Sequence, residues 1–397
     1  MEKTYKSRFH SLLHTAWFLL LILTLSACTG GTNGNSTATS TPSGSGNNPT
    51  PTPTAGVQLG KQNCPVTASD PAHWDSIVPT QPNVSKVESV TCANLVGNNS
   101  LQALVLVRSQ GSGDTLDVYV YSKITDPAPQ KLFQLLGLYK GTAKISGYNT
   151  VLTGEVDRES HVNKGQSNSG FTLDLYREFK WSDGVGTLVP VAFPGLFPQL
   201  TRFEAENAQA QVNQGQDGWM LDVKQVSTRL TDRLLQWGTN VQTNVVSGGG
   251  KSDADAVVEV RHTTPGGGKV KITLSRLEGN TNGGIWVTTA VESDGMAITT
   301  PQQFDRLTSP AGVEGKGNAF EGVIGKVVVI DHTYTTIGQA LVNNVKPGNG
   351  QANFTVSVSY KSTFKGGSQE GILALFSNSN ADGSIAGAVL VKEMINA

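Results

Sequence analysis

Hydrophobic and polar positions alternate over short stretches along most of the chain. The clearest is DTLDVYVYSK at residues 114–123, whose two-residue period is that of a half-buried strand. SLQALVLVRS, QKLFQLLGLYK, FTLDLYREFKWS and GTLVPVAFP read as further strands on either side of it. Beyond residue 200 the period lengthens. A helical stretch lies near 203–214, and Val223, Val226, Leu230, Leu234 and Trp237 then line one face of a second helix that runs to a stop at Gly238. Four strand-like runs follow, NVQTNVVS, DAVVEVRHT, GKVKITLSRL and GGIWVTTAVES, parted by SGGGKS, PGGG and EGNTNGG. KVVVIDH, GQALVNN, NFTVSVSY, GILALFS and AGAVLVKE close the chain, with turn chemistry between them.

This order predicts a multi-domain, β-rich protein. We expect an N-terminal mainly-β domain over 60–203 and a small α+β domain over 204–296, its helices on one face of its sheet. A C-terminal β-sandwich is expected over 297–397. The two prolines of PGLFPQL mark the first of these boundaries. A length of 397 residues, more than one core usually organises, agrees with two or three domains. Forty-five glycines fit many short strands joined by tight turns. Only 15% of residues are charged and the formal net charge is −1. Such a chain has no long-range field to hold nucleic acid or anionic lipid, so neither is expected as a partner.

The first 28 residues differ from the rest. Lys3, Lys6 and Arg8 precede the apolar run AWFLLLILTLSA at 16–27. Twelve helical residues rise about 18 Å against a hydrocarbon core of about 30 Å, too short to span, so the run has the proportions of a secretory leader. Leu25-Ser26-Ala27-Cys28 resembles the bacterial lipobox, in which two small residues lead to a cysteine that accepts a diacylglyceryl group. That resemblance implies a lipoprotein signal peptide over 1–28, with Cys28 as the lipid attachment point and first mature residue. It implies a partner too, the membrane, reached through the anchor on the extracytoplasmic face. Two acyl chains hold stably where one is marginal. Residues 29–59 are a disordered Ser/Thr/Gly/Pro-rich tether: TGGTNGNSTATSTPSGSGNNPTPTPTA has no charge and no aromatic. A flexible segment of that length reaches about 30 Å and would lift the folded domains off the membrane.

Candidate chemistry is sparse. Cys64 and Cys92 remain after Cys28, and an exported protein meets an oxidising setting, so a disulfide between them is favoured over two buried thiols. CANLVGNNSLQALVLV resembles the Asp-rich calcium loops of integrin-propeller repeats. Asn94, Asn98 and Asn99 stand where carboxylates would be needed, and the stretch is expected to be a turn. SGGGKSDAD lacks the spacing of a phosphate loop and precedes a strand, so it reads as a hairpin loop. His73, His161, His262 and His332 show no metal-ligand spacing, and Asp331-His332 reads as an exposed strand end. No metal, cofactor or catalytic residue is assigned. Trp181 and Trp286 are expected in the core, whereas Trp74, in DPAHWDS, is the candidate surface aromatic, able to stack on a sugar or to cap the first core.

Three stretches of the last hundred residues are similar to the immunoglobulin-like domain of bacterial spore germination. They are TSPAGVEGKGNAFEGVIGKVVVIDH, GNGQANFTVSVSY and EGILALFSNSNADGSIAGAVLVKEMI. Ser309-Pro310, Gly317, Ala319, Phe320-Glu321-Gly322, Phe354, Gly371, Phe376, Ser379 and Asp382-Gly383-Ser384 carry the likeness. Gly350 stands three residues before Asn353, so one loop is altered. The resemblance implies an immunoglobulin-like sandwich and an exported setting, but no catalytic residues. The expectation is a non-enzymatic lipoprotein acting as an envelope adaptor, linked to sporulation or germination and binding cell-wall polymer or another exported protein. The alternative is capture of a small solute or sugar in a cleft of the first or second domain. A pocket lined by aromatics such as Trp74 and Tyr119 would favour the alternative.

Overall fold

The computed structural model describes residues 59–397 apart from 82, 112, 265, 266 and 280–282. The leader, the lipobox with Cys28, and the tether up to residue 58 lie outside the described residues. The described residues form twenty strands and four α-helices. Two consecutive antiparallel meanders come first. β1 (Ser85–Ala93), β2 (Gln102–Ser109), β3 (Thr115–Ser122) and β4 (Gln130–Tyr139) pair in sequence order. β5 (Thr142–Ile145), β6 (Val151–Glu155), β7 (Leu175–Ser182) and β8 (Thr187–Val191) do the same.

The first meander is covered on both faces. On one, Ala103, Val105, Val107, Tyr119 and Tyr121 pack beneath two four-residue helices, α1 (Val66–Ser69) and α2 (Pro71–Trp74). On the other, Leu104, Leu106, Leu116, Val118 and Val120 meet Val151, Phe179 and Leu188 of the second meander. This double burial explains why ALVLV in β2 is a continuous apolar run rather than an alternation. Cys64 and Cys92 are joined by a disulfide with Cα atoms 5.2 Å apart, which ties the chain entering α1 to the end of β1.

The longer helices are α3 (Arg202–Asn213) and α4 (Val223–Leu235), with a single 3-10 turn at Gly218–Leu221 between them. A capping box starts α3: Thr201 Oγ1 accepts the Glu204 N–H, and Glu204 accepts the Thr201 N–H. Asp222 caps α4, which ends at Gln236 in the left-handed region (φ 58°). Val223, Val226, Leu230 and Leu234 are the buried stripe that the sequence predicts. They lie on Ala256, Val258, Val260, Val270, Ile272 and Leu274 of the next meander. Its strands are β9 (Val241–Gly248), β10 (Asp255–His262), β11 (Lys269–Ser275) and β12 (Val287–Glu292). SGGGKSDAD joins β9 to β10, as expected of a hairpin loop.

The last segment holds β13 (Ala297–Thr300), β14 (Arg306–Leu307), β15 (Ala311–Ala319), β16 (Gly325–Ile330) and β17 (Thr336–Val342). β18 (Gly350–Val358), β19 (Ser368–Asn378) and β20 (Ile385–Asn396) complete it. The sheet β13-β15-β18 packs face to face on β17-β16-β19-β20, enclosing Val313, Phe354, Val358, Val327, Val329, Leu373 and Leu375 in a β-sandwich. The larger sheet does not stop there. Val291 of β12 pairs with Leu390 of β20, giving a nine-stranded sheet in the order β17-β16-β19-β20-β12-β11-β10-β9, with β14 added parallel to β20. The expected boundary at 296/297 therefore falls within one continuous sheet. The described residues from 59 to 397 belong to a single compact unit.

The proline-bearing segment expected to part the first two domains is interior. Phe193, Leu196 and Leu200 are each 0% exposed. A buried irregular backbone must find partners for its peptide groups. Here Leu196 N–H donates to Thr288 O (2.8 Å), and Thr288 N–H donates to Phe197 O (2.7 Å). The Tyr334 hydroxyl donates to Leu196 O and Pro198 O at 3.0 and 3.1 Å. Lys392 Nζ donates to Gly195 O at 2.9 Å and to Leu200 O, and Phe193 N–H donates to Glu370 at 2.8 Å. β12, the turn after β16 and the last two strands are thus clamped to one stretch of main chain.

Candidate functional site

A cleft of about 660 Å³ opens at one end of the two N-terminal meanders. Three elements build it. The β1–β2 loop supplies Val96, Asn98, Ser100 and Leu101, and its shape is set from beneath by Gln102, which is fully buried. Gln102 Oε1 accepts the Leu95 and Val96 N–H groups at 2.7 and 3.1 Å, while its Nε2 donates to Ser100 Oγ at 3.0 Å. The β3–β4 loop supplies Lys123, Ile124 and Thr125. The β7–β8 hairpin brings Trp181, whose Nε1 donates to Asp183 Oδ1 at 2.7 Å and so fixes the ring. Thr187 Oγ1 donates to Leu132 O at 2.7 Å, holding the two meanders together beside the cleft. Pro65, next to the disulfide, closes one side.

The lining combines six apolar residues, Pro65, Val96, Leu101, Ile124, Leu132 and Trp181, with neutral polar side chains and one cation, Lys123. Among the described residues, no carboxylate lines it. That chemistry suits a neutral or weakly anionic polar chain with some apolar surface: side-chain amides and hydroxyls can hydrogen-bond it while the indole stacks.

Two other surfaces differ in character. A groove of about 500 Å³ runs over the face of β10–β12 opposite α4 and carries Glu259, Lys269, Lys271, Glu292 and Asp294. These charges are spent on one another: Lys269 pairs with Asp294 (2.8 Å) and Glu259 (3.5 Å), and Lys271 with Glu292 (3.5 Å). Elsewhere Arg202, at the start of α3, bridges Glu178 of β7 (2.9 Å) and Glu278 (2.7 Å), with its guanidinium 4.2 Å from the Tyr148 ring centroid. Burial pushes the Glu278 carboxyl up to about 7, opposed by Arg202 and reinforced by the charges of Glu206 and Glu178. Thr150 Oγ1 donates to Glu178 at 2.7 Å. This cluster joins three distant stretches of chain, and we read it as a structural knot.

The residues singled out from sequence are dispersed. Trp74 is a correction. It is 0% exposed, its Nε1 donates to Ala68 O at 2.9 Å, and its ring lies 5.3 Å from that of Tyr121. Its indole caps the first core from within and offers no face to a sugar. Tyr119 is buried in the same core, so neither ring presents a face to a ligand. Trp181 packs half-buried against the core of the two meanders, as expected, and the rest of its ring reaches the cleft, whereas Trp286 is fully buried. Asn94, Asn98 and Asn99 form a turn: Asn94 Oδ1 accepts Gly97 N–H (2.7 Å), Asn98 Oδ1 accepts Ser100 N–H (3.1 Å), and Asn99 has φ 60°.

Asp331 and His332 are also corrected, being buried rather than exposed. Asp331 Oδ1 accepts the N–H groups of Thr333 and Thr335, both at 2.9 Å, folding the turn that follows β16. That turn is then covered by the long β6–β7 loop, whose His161 Nδ1 shares hydrogen bonds with the Thr333 and Thr335 hydroxyls. His332 Nε2 lies 3.9 Å from Asp174. His262 stacks on Trp237 with centroids 5.3 Å apart. Among the described residues, no group of three His, Cys, Asp or Glu side chains is placed to hold a metal ion, and no helix is long and apolar enough to cross a membrane.

No protein-family model matches the chain, and neither does any curated protein. Among solved structures, a C-terminally truncated trimeric ectodomain of the C. elegans fusion protein EFF-1 aligns with 9% identity and a TM-score of 0.15. The alignment covers 80% of this chain and 75% of that one. A likeness of that size carries no argument about fold or function.

Proposed function

We propose that this protein is a non-enzymatic lipoprotein that works as an adaptor in a bacterial envelope, moored through Cys28 and holding a partner in the cleft beside Trp181. The observation that carries the reading is the makeup of that cleft: open, floored by apolar side chains, rimmed by neutral amides and hydroxyls, with Lys123 as its one charge. Such a surface suits an extended segment of another exported protein or of wall polymer. The leader, lipobox and tether would place it there, and the likeness of residues 297–397 to a spore-germination domain is the ground for linking it to sporulating cells. Two features weigh against capture of a small solute. Trp74 and Tyr119 are buried, and one indole alone serves the cleft.

The test is capture from crosslinked cells with wild type and Trp181→Ala. The reading predicts a discrete protein or glycan enriched with wild type and depleted with the variant. Enrichment of nothing beyond bulk membrane protein would remove the adaptor. Saturable heat with free monosaccharides in calorimetry would favour solute capture instead.

A further inference from the structure

We propose that Lys392 and Glu370 become joined by an intramolecular amide bond, Nζ to Cδ, in the folded protein. The two side chains occupy adjacent strands of the nine-stranded sheet. Glu370 faces Met394 and Lys392 faces Ile372, so the pair is diagonal and on the face that meets residues 193–200. Solvent is excluded from both, with side chains 0% and 1% exposed, and Nζ lies 3.0 Å from Oε2. Contact between reacting groups in a dry, fixed geometry is what makes an otherwise slow condensation effectively unimolecular.

The hydrogen bonds around the pair favour attack. As an ammonium, Lys392 has three hydrogens and three acceptors: Gly195 O, Leu200 O and Glu370 Oε2. Passing the third proton to the carboxylate leaves two N–H groups held by the backbone carbonyls and a lone pair directed at the carboxyl group. Burial pushes the equilibrium that way, since it disfavours both charges: it lowers the pKa of Lys392 and raises that of Glu370 to about 7. Phe193 N–H donates to Oε2 at 2.8 Å and so stabilises negative charge that builds on that oxygen during attack. Oε1 is buried with no hydrogen-bond partner. An orphaned buried acceptor calls for an explanation, and here it is the atom that leaves.

The step balances without an oxidant, reductant or cofactor. The Nζ lone pair forms the N–C bond, and the Cδ–Oε1 bond breaks. Oε1 departs as water, carrying the carboxyl proton and one amine proton. Oε2 remains as the amide oxygen and keeps the Phe193 N–H, while the amide N–H keeps one of the two backbone carbonyls. Both protons reach Oε1 within the tetrahedral adduct, where the nitrogen and the two oxygens are all bonded to Cδ.

Peptide mapping of the folded, full-length protein tests this without a substitution. No lysine or arginine lies between Lys365 and Lys392, so trypsin releases Gly366–Lys392 and Glu393–Ala397 if the lysine is free. The expected result is one fragment, Gly366–Ala397, uncut after Lys392 and lighter than its sequence by one water. Glu370→Gln should yield the same bond by expelling ammonia, with the fragment lighter by one ammonia than the variant sequence. Recovery of the two separate fragments at their full masses from folded wild-type protein overturns the proposal and leaves a buried ion pair.

Discussion

Glu393 gives the most quantitative handle on the account. It lies on β20, facing the interior of the sandwich, and is 0% exposed with no hydrogen-bond partner for either oxygen. Burial, with the charge of Asp305 added, pushes its pKa up to about 9. In an unfolded chain the same group titrates near about 4.3, so at pH 7 folding must take up a proton. A carboxyl raised in the folded state weakens folding as pH climbs from the unfolded value towards the folded one. Between about pH 4.3 and 7 that is nearly three units at about 1.4 kcal/mol each, or about 4 kcal/mol. Glu393→Gln keeps the shape and still leaves polar atoms unpaired, but needs no proton. Urea unfolding should show the variant more stable by about 4 kcal/mol at pH 7 and equal to wild type near pH 4. The difference should grow with pH and level off above about 9. A gain that is the same at every pH, or a loss at pH 7, refutes the reasoning.

Further outcomes follow from the packing. Arg202→Leu strands Glu178 and Glu278 as buried carboxyls and should lower the unfolding free energy by about 3–5 kcal/mol in urea titrations at neutral pH. Cys92→Ala should lose about 3 kcal/mol, with a reductant matching that loss in wild type and adding nothing to the variant. A Cβ on Gly317 would stand 2.4 Å from Ile324 Cγ2, so Gly317→Ala should depress the thermal midpoint through overpacking of about 1–3 kcal/mol. Trp181→Ala should lower that midpoint modestly, by about 1–3 kcal/mol in unfolding free energy, because the half-buried ring packs against the core of the two meanders as well as edging the cleft.

Periodicity carried the sequence reading wherever a side chain's surroundings repeat along its own element. α4 shows its buried face in Val223, Val226, Leu230 and Leu234, and β9–β12 stand where their alternation places them. β15 was not legible as a strand, although its burial alternates at every residue, because the inward positions are Ala311, Val313, Gly315, Gly317 and Ala319. Small residues are needed there for close sheet packing: a Cβ on Gly315 would lie 2.7 Å from the Phe354 ring. The short β5 and β6 carry too few residues to show a period, and β1 hides its pairing behind a bulge between Val87 and Ser89.

Contacts between distant stretches left still less trace. The pairing of Val291 with Leu390, which makes one sheet of two expected domains, has no local signal. Arg202, Glu178 and Glu278 are ordinary residues until the fold gathers them. The prolines near residue 198 look like linker chemistry, yet side chains from the last strands take up the carbonyls of that stretch and make it interior. His332 follows the same logic, since a strand end is exposed only if no other loop covers it, and the β6–β7 loop does. The cleft was half visible: the Asn-rich turn before β2 stood out as a motif, but the indole opposite it comes from a hairpin some eighty residues on.

The central claim is that export and lipid attachment at Cys28 put this folded body at work outside the cell. Mass spectrometry of the amino-terminal peptide from the native membrane fraction tests it most directly. The account predicts a chain that begins at residue 28 and bears a diacylglyceryl group on its sulfur. An intact leader, or a Cys28 thiol without lipid, contradicts it.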